Sequence, residues 1–89
     1  MHAVVVSVSV AEGAGDEATT HLRENIVPSI SQAPGFVKGY WVRLEGGDQG
    51  RAVMVFESED AAKGAKDLIQ PAPGVTLDSV DIGEVIANA

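Results

Sequence analysis

Two stretches of this chain carry apolar strand-forming residues at odd and even positions alike: Val4-Val5-Val6-Ser7-Val8-Ser9-Val10 and Ala52-Val53-Met54-Val55-Phe56. Successive side chains of a strand point to opposite faces, so a strand with one wet face alternates with period two. These two strands therefore need cover on both sides. Helical spacing occurs twice. Ala18, Leu22, Ile26, Ser29, Ile30 and Ala33 share a stripe in a helix predicted over 17–31, with Asp16 as its N-cap. Pro28 lies inside it and predicts a kink or short break near Val27, because proline removes a hydrogen bond and clashes with the preceding turn. A second stripe, Ala61, Ala62, Ala65, Leu68 and Ile69, follows Ser58 as N-cap, with Glu59 and Asp60 at the positive end of the helix dipole. Ala33-Pro34-Gly35 and Pro71-Ala72-Pro73-Gly74 are stop signals. The remaining strands are predicted over 2–10, 36–45, 51–57 and 75–86, the middle two joined by the glycine-rich turn at 46–50.

The order is βαββαβ in a single domain, 1–89, without repeats or an internal linker. Right-handed crossovers then predict a ferredoxin-like α+β fold, a four-stranded antiparallel sheet with both helices on one face. Strands one and three become its central pair, in agreement with their two apolar faces. Two helices cover one face only. The other would leave an apolar patch on the order of several hundred Å², which monomers rarely tolerate, so a sheet-to-sheet homodimer is expected.

Charge and composition narrow the partners. Thirteen acidic side chains against six scattered basic ones give a net charge of −7, which disfavours nucleic acid and anionic lipid. The chain has no cysteine, so disulfides, thiolate metal sites and thiol nucleophiles are excluded, and a reducing cytoplasm fits. No targeting segment is expected, since Met1-His2 leads straight into a strand, and no stretch approaches the roughly 20 apolar residues of a membrane helix. His2 and His21 fall in different elements without ligand spacing, so no metal is expected. The 46–50 turn joins two strands and precedes no helix, which excludes a phosphate loop.

Ala33-Pro34-Gly35-Phe36, then Gly39-Tyr40-Trp41, then Val53-Met54-Val55-Phe56-Glu57-Ser58-Glu59-Asp60-Ala61 resemble the dimeric α+β barrel superfamily, in its antibiotic-biosynthesis-monooxygenase-like branch. The resemblance spans nearly the whole chain and implies a sheet-to-sheet dimer. Such families include quinone-forming monooxygenases that use no cofactor, heme-degrading enzymes and isomerases. The heme-degrading members carry an asparagine on strand one, a tryptophan on helix two and a histidine after it. Those positions fall near Ser7, near Gly64 and in the turn at 71–74, and none of the three residues is kept. The quinone-forming members use Asn, Trp, Tyr and Arg, residue types present here as Asn25, Trp41, Tyr40 and Arg43.

Candidate chemistry concentrates in two places. His21 and Asn25, one helical turn apart, can meet; the imidazole is either a general base oriented by the amide or a half-exposed side chain bonded to its neighbour. Trp41 and Arg43 share one face of strand two, with Tyr40, Phe36, Lys38, Val42 and Leu44 on the other. The pair is either a stacking wall and anion clamp or dimer-interface packing. Ser7 is a further candidate for lining a pocket. The alanine-rich face of helix two either packs closely on the sheet or leaves a gap for a ligand. Two functions follow: a homodimer that binds a flat apolar compound and oxidises or isomerises it without a cofactor, or a non-catalytic binding or structural dimer.

Overall fold

The two strands without a polar face lie side by side at the centre of the sheet. A computed structural model describes residues 1–89, in the order β1 (His2–Val10), α1 (Gly15–His21), a π-helical segment (Leu22–Ile26), α2 (Val27–Ser31), β2 (Phe36–Arg43), β3 (Gln49–Phe56), α3 (Glu59–Lys66) and β4 (Val75–Glu84). The sheet order is β2-β3-β1-β4, with every pair antiparallel. This is the ferredoxin-like α+β arrangement, with both helical layers on one face.

Residues 15–31 run on as one helix, because the junction residues Leu22, Ile26 and Val27 all keep right-handed helical backbone angles. Pro28 does not end the helix. The regular α pattern is interrupted directly upstream of Val27, by the wider turn at 22–26, which relieves the clash a proline ring makes with the preceding turn. There the Val27 N–H donates to the Leu22 carbonyl, five residues back. The widening also explains the spacing of the buried stripe. Ala18, Leu22, Ile26 and Ile30 recur every four residues, which in a regular α-helix would carry Ile30 about 120° around from Ala18. A π turn advances less per residue, and all four stay on the sheet side, Ala18 and Ile30 buried and the others half-buried. Asp16 does not cap this helix. Ala14 holds the N-cap position without a side-chain bond, and Asp16 lies within the first turn. Ser58 does cap α3, its Oγ accepting from the Ala61 N–H at 3.1 Å.

The inner face of the sheet is built in rows. Ile82, Val4, Met54 and Gly39 form one, Val80, Val6, Ala52 and Trp41 the next, and Leu77, Val8, Gly50 and Arg43 a third. Phe56 and Val4 are fully buried, and Phe56 meets Phe36 edge to face at 5.8 Å between ring centres. Simple alternation places Phe36 on the outer face with Tyr40. The structure corrects this: a register shift between Phe36 and Lys38 leaves Val37 as an extra residue, and the bulge turns Phe36 inward. The Pro-Gly-Phe turn packs closely on α3. Gly35 has φ of +79°, and a Cβ there would lie 2.7 Å from the Ala61 Cβ, so both conformation and space demand glycine.

The outer face carries Val5 beside Val53 and Tyr40, and Arg51 beside Ser7 and Val42. Val5, Val53, Val42 and Tyr40 are 38%, 40%, 52% and 64% exposed, a continuous apolar surface across three strands. Its residues are valines and a tyrosine; Met54 and Phe56 both turn inward. At the far end of the sheet Lys63 donates to Glu59 at 2.9 Å, which holds that carboxyl below its usual range and the ammonium above its own, and His2 lies 3.4 Å from the same carboxylate. No helix is long and apolar enough to cross a membrane.

Candidate functional site

A cavity of about 420 Å³ opens between the first helix and the inner face of the sheet. Its floor is the pair of small residues on β3, Gly50 and Ala52, flanked by Val6 and Val8 on one side and by Trp41 and Arg43 on the other. Larger side chains at 50 and 52 would fill it. Its roof is Ala18, Leu22, Ile26 and Ile30, the four-residue stripe held in line by the π turn. Ile69 and the segment 70–72 close one side, with Val75 and Leu77 beyond. The gap thus forms under the first helix. The alanine face of the second one packs tightly instead, with Ala62 and Ala65 buried in the core and Gly64 facing open space.

Trp41 stands half-buried at one wall. Its indole folds back along its own strand, over a residue with no side chain: a Cβ on Gly39 would lie 2.9 Å from the Trp41 Cη2 and 3.3 Å from the Met54 Cγ. Gly39 is the seat of the indole. Gly39→Ala is accordingly expected to tilt the ring out of its seat. The check is the tryptophan emission maximum and its accessibility to iodide, both of which should change while far-UV circular dichroism does not.

Arg43 crosses from β2 to the start of α1. Its Nη2 donates to the Thr19 Oγ1 at 3.4 Å, and that hydroxyl donates in turn to the Gly15 carbonyl at 2.9 Å. The guanidinium lies against the bare Cα of Gly15, where a methyl group would overlap it. Arg43 borders both the apolar cavity and a more open polar recess formed by the 10–16 and 46–48 loops, which Glu12, Asp16 and Asp48 line.

The four other sequence candidates divide differently. His21 and Asn25 do meet, with 3.2 Å between the Asn25 Nδ2 and the His21 Nδ1, but neither lines the cavity. The π turn that brings Leu22 and Ile26 to the roof leaves this pair on the flank of the helix, with Asn25 exposed. Ser7 sits on the outer face of the sheet between Arg51 and Ser79, the whole strand away from the cavity side. Tyr40 is also on the outer face. Trp41 and Arg43 are the two candidates that the fold brings to the cavity together. Sequence reasoning passed over Gly50, Ala52, Gly39 and Thr19. The available signal was the run of small residues on the inner positions of an otherwise bulky sheet.

The lining contains no histidine, cysteine, aspartate or glutamate. It offers one aromatic wall, one hydroxyl, the Gln49 and Gln70 amides and guanidinium groups at the rim, around an apolar interior. Such a lining has the shape and polarity to hold an apolar body, with the Arg43 guanidinium at its edge. It holds no imidazole or carboxylate to act as a general base and no thiolate or imidazole to ligate a heme iron.

The family model for antibiotic biosynthesis monooxygenases matches residues 1–67. The chain belongs to the antibiotic biosynthesis monooxygenase family. Solved structures support the same fold over the full length. MhuD, in an arginine-to-serine variant with two manganese protoporphyrin IX per active site, superposes with a TM-score of 0.79 at 19% identity, covering 100% of this chain and 98% of that one. MhuD from Mycobacterium tuberculosis, a heme-degrader with two hemes bound, gives 0.74 at 21% identity over 100% and 99%. SnoaB from Streptomyces nogalater, a cofactor-independent oxygenase seen as an asparagine-to-alanine variant, gives 0.73 at 18% over 98% and 95%. Comparison with curated proteins returned no match. For this member of the antibiotic biosynthesis monooxygenase family, the family model ends directly after α3, and the structural matches extend over the closing strand β4 as well.

Proposed function

We propose that the protein is a homodimer that binds a flat, apolar small molecule in the cavity under its first helix and oxidises or isomerises it without a cofactor. The observation that carries this reading is the cavity itself: about 420 Å³, apolar within, walled by Trp41 and edged by Arg43. Ligand sites are typically about 300–1,000 Å³ of this character, with a few placed polar groups. Membership of the family supports an oxygenase-like reaction.

The chemistry asked of the protein is modest. Oxidation of a ring CH₂ to C=O by O₂, with release of one water, draws all four electrons from the substrate and needs no external reductant. The reactive species is the deprotonated, electron-rich substrate. A guanidinium at the cavity edge stabilises such an anion and lowers the pKa of the group that forms it. In this reading Trp41 stacks on the ring, Arg43 holds negative charge, and Leu22, Ile26 and Ile30 exclude water. His21, Asn25 and Ser7 take no part, because they lie outside the cavity. Heme is a poor fit for the same site, since the lining has no imidazole, thiolate, phenolate or carboxylate for the iron.

The missing general base favours a second reading, a binding protein without turnover. One experiment separates the two. Flat polycyclic phenols and ketones are titrated while Trp41 emission is followed, and oxygen consumption is then measured with each binder. Quenching with oxygen uptake supports the oxidase; quenching alone supports the binding protein. Ala52→Leu fills the floor and is expected to weaken binding at least about thirtyfold, as the lost volume can no longer be occupied by ligand. Unchanged binding in that variant would place the ligand elsewhere and remove the proposal.

A further inference from the structure

Arg43 lies between two environments of opposite character. On one side is the apolar cavity; on the other is the recess that Glu12, Asp16 and Asp48 line. A guanidinium among three carboxylates would ordinarily pair with one of them, since charge-assisted hydrogen bonds are the stronger kind. Arg43 pairs with none. The ion pairs of the chain are His2–Glu59 and Lys63–Glu59, both at the other end of the sheet. The one side-chain partner of Arg43 is a neutral hydroxyl, the Thr19 Oγ1, at 3.4 Å.

Three contacts hold the side chain away from the carboxylates. The Thr19 hydroxyl donates its proton to the Gly15 carbonyl at 2.9 Å, so a lone pair is what it presents to the Arg43 Nη2. Gly15 gives the guanidinium room where a Cβ would overlap it. The stem rests on the hairpin loop, the Arg43 Cδ lying 4.0 Å from where a Cβ on Gly47 would stand. The Asp48 carboxylate meanwhile turns over its own loop, its Oδ1 3.4 Å from a Cβ built on Gly46. An exposed ion pair and a neutral hydrogen bond contribute comparably to stability, so charge alone does not fix where the guanidinium stands. The hydroxyl decides.

Resting on the function proposed above, in which Arg43 serves the cavity, we propose that Arg43 is a two-position arm and that Thr19 is its positioning residue. With the Thr19 hydroxyl in place, the guanidinium stands at the cavity edge near Trp41, two residues away on the same face of β2. The cavity edge then carries a positive charge. Without the hydroxyl, the arm crosses to Glu12, Asp16 and Asp48, where its charge is cancelled, and the cavity edge becomes neutral. The recess carboxylates are the arm's alternative seat. A hydroxyl on α1 thus sets the charge of the cavity edge by acting through Arg43.

The lone tryptophan reads the arm without any ligand. Iodide is an anionic quencher and acrylamide a neutral one, so the ratio of their quenching constants at fixed ionic strength reports the charge beside Trp41. Thr19→Val nearly keeps the side-chain shape and removes the hydroxyl. The iodide-to-acrylamide ratio is expected to fall about twofold, to the value of Arg43→Gln, as one unit charge leaves the neighbourhood of the indole in screened water. Thr19→Ser should keep the wild-type ratio. Gly15→Ala, which suits a helix better than glycine, should lower the ratio while the melting temperature holds or rises, separating a displaced arm from a damaged fold. Glu12→Gln, Asp16→Asn and Asp48→Asn together should restore the ratio in the Thr19→Val background and leave it low in the Arg43→Gln background. A ratio unchanged in Thr19→Val or Gly15→Ala overturns the two-position arm, as does a fall that the three neutral residues do not restore, or restore equally without Arg43. Failure of every flat phenol and ketone to bind would overturn the functional reading instead, and the quenching ratios would be untouched by it.

Discussion

Val53→Asp is expected to turn the proposed dimer into a folded monomer. Val53 lies on the central strand β3, flanked by Val5 and Tyr40, and is 40% exposed in the isolated chain, so the fold tolerates a polar residue there. A two-fold interface over this face brings the substitution in twice, and each unpaired buried carboxylate costs about 3–5 kcal/mol. The dissociation constant should therefore rise by at least about a thousandfold, where each factor of ten is about 1.4 kcal/mol. Sedimentation velocity reads the mass, and circular dichroism verifies that the fold remains. A variant that still sediments as a dimer would show that the valine face is not the interface. A ligand site unaffected by dissociation would show, separately, that each cavity is complete within one chain.

The largest stability loss is expected from Phe56→Ala. Phe56 has no exposed surface, sits in the row that joins β2, β3 and β1, and meets Phe36 edge to face. Truncating a buried phenylalanine costs about 3–5 kcal/mol, through lost burial and the void left behind. An 89-residue domain has roughly 5–10 kcal/mol to lose. The melting temperature should fall by about 15–30 °C, a steep response because a small domain has a small unfolding entropy. Scanning calorimetry measures it at fixed protein concentration, since dimerisation also raises the midpoint. A fall of under about 5 °C would mean that the neighbouring side chains close the void, and that this end of the core is loosely packed.

Much of the fold was legible in the sequence because its determinants are local. The doubly apolar strands, the Ser58 cap and the Pro-Gly stops each follow from a few adjacent residues, and together they give βαββαβ and place β1 and β3 at the centre. The exceptions share a cause. The bulge at Val37 inserts one residue into a strand, and the π turn at 22–26 widens a helix; each changes how the side chains before it face relative to those after it. Alternation read from sequence cannot locate such an insertion, which is why Phe36 is inward against expectation. The four-residue spacing of Ala18, Leu22, Ile26 and Ile30 did carry the signal of the wider turn.

The candidate site was legible in part. Trp41 and Arg43 share a strand face, and period two is enough to see that. Their company was not visible, because a cavity is set by what small residues leave empty between elements distant in sequence. Gly50, Ala52 and Gly39 matter for atoms they lack, and Gly15 matters as the resting place of a guanidinium from β2. His21 and Asn25 illustrate the converse. A helical pair with suitable chemistry was easy to find, and its distance from the cavity depended on the helix's rotation.

The wider turn in the first helix is also a place where chain length can change without rebuilding the roof. Removing one residue between Leu22 and Ile26 would let this stretch return to regular α-helical winding, and Ile30 would then come within about 20° of Ala18 around the axis. The residue lost and the turn tightened cancel, so Ile26 and Ile30 would keep facing the sheet. The cavity's lining is buffered against a one-residue deletion at this turn, and the change would fall on the solvent side of the helix.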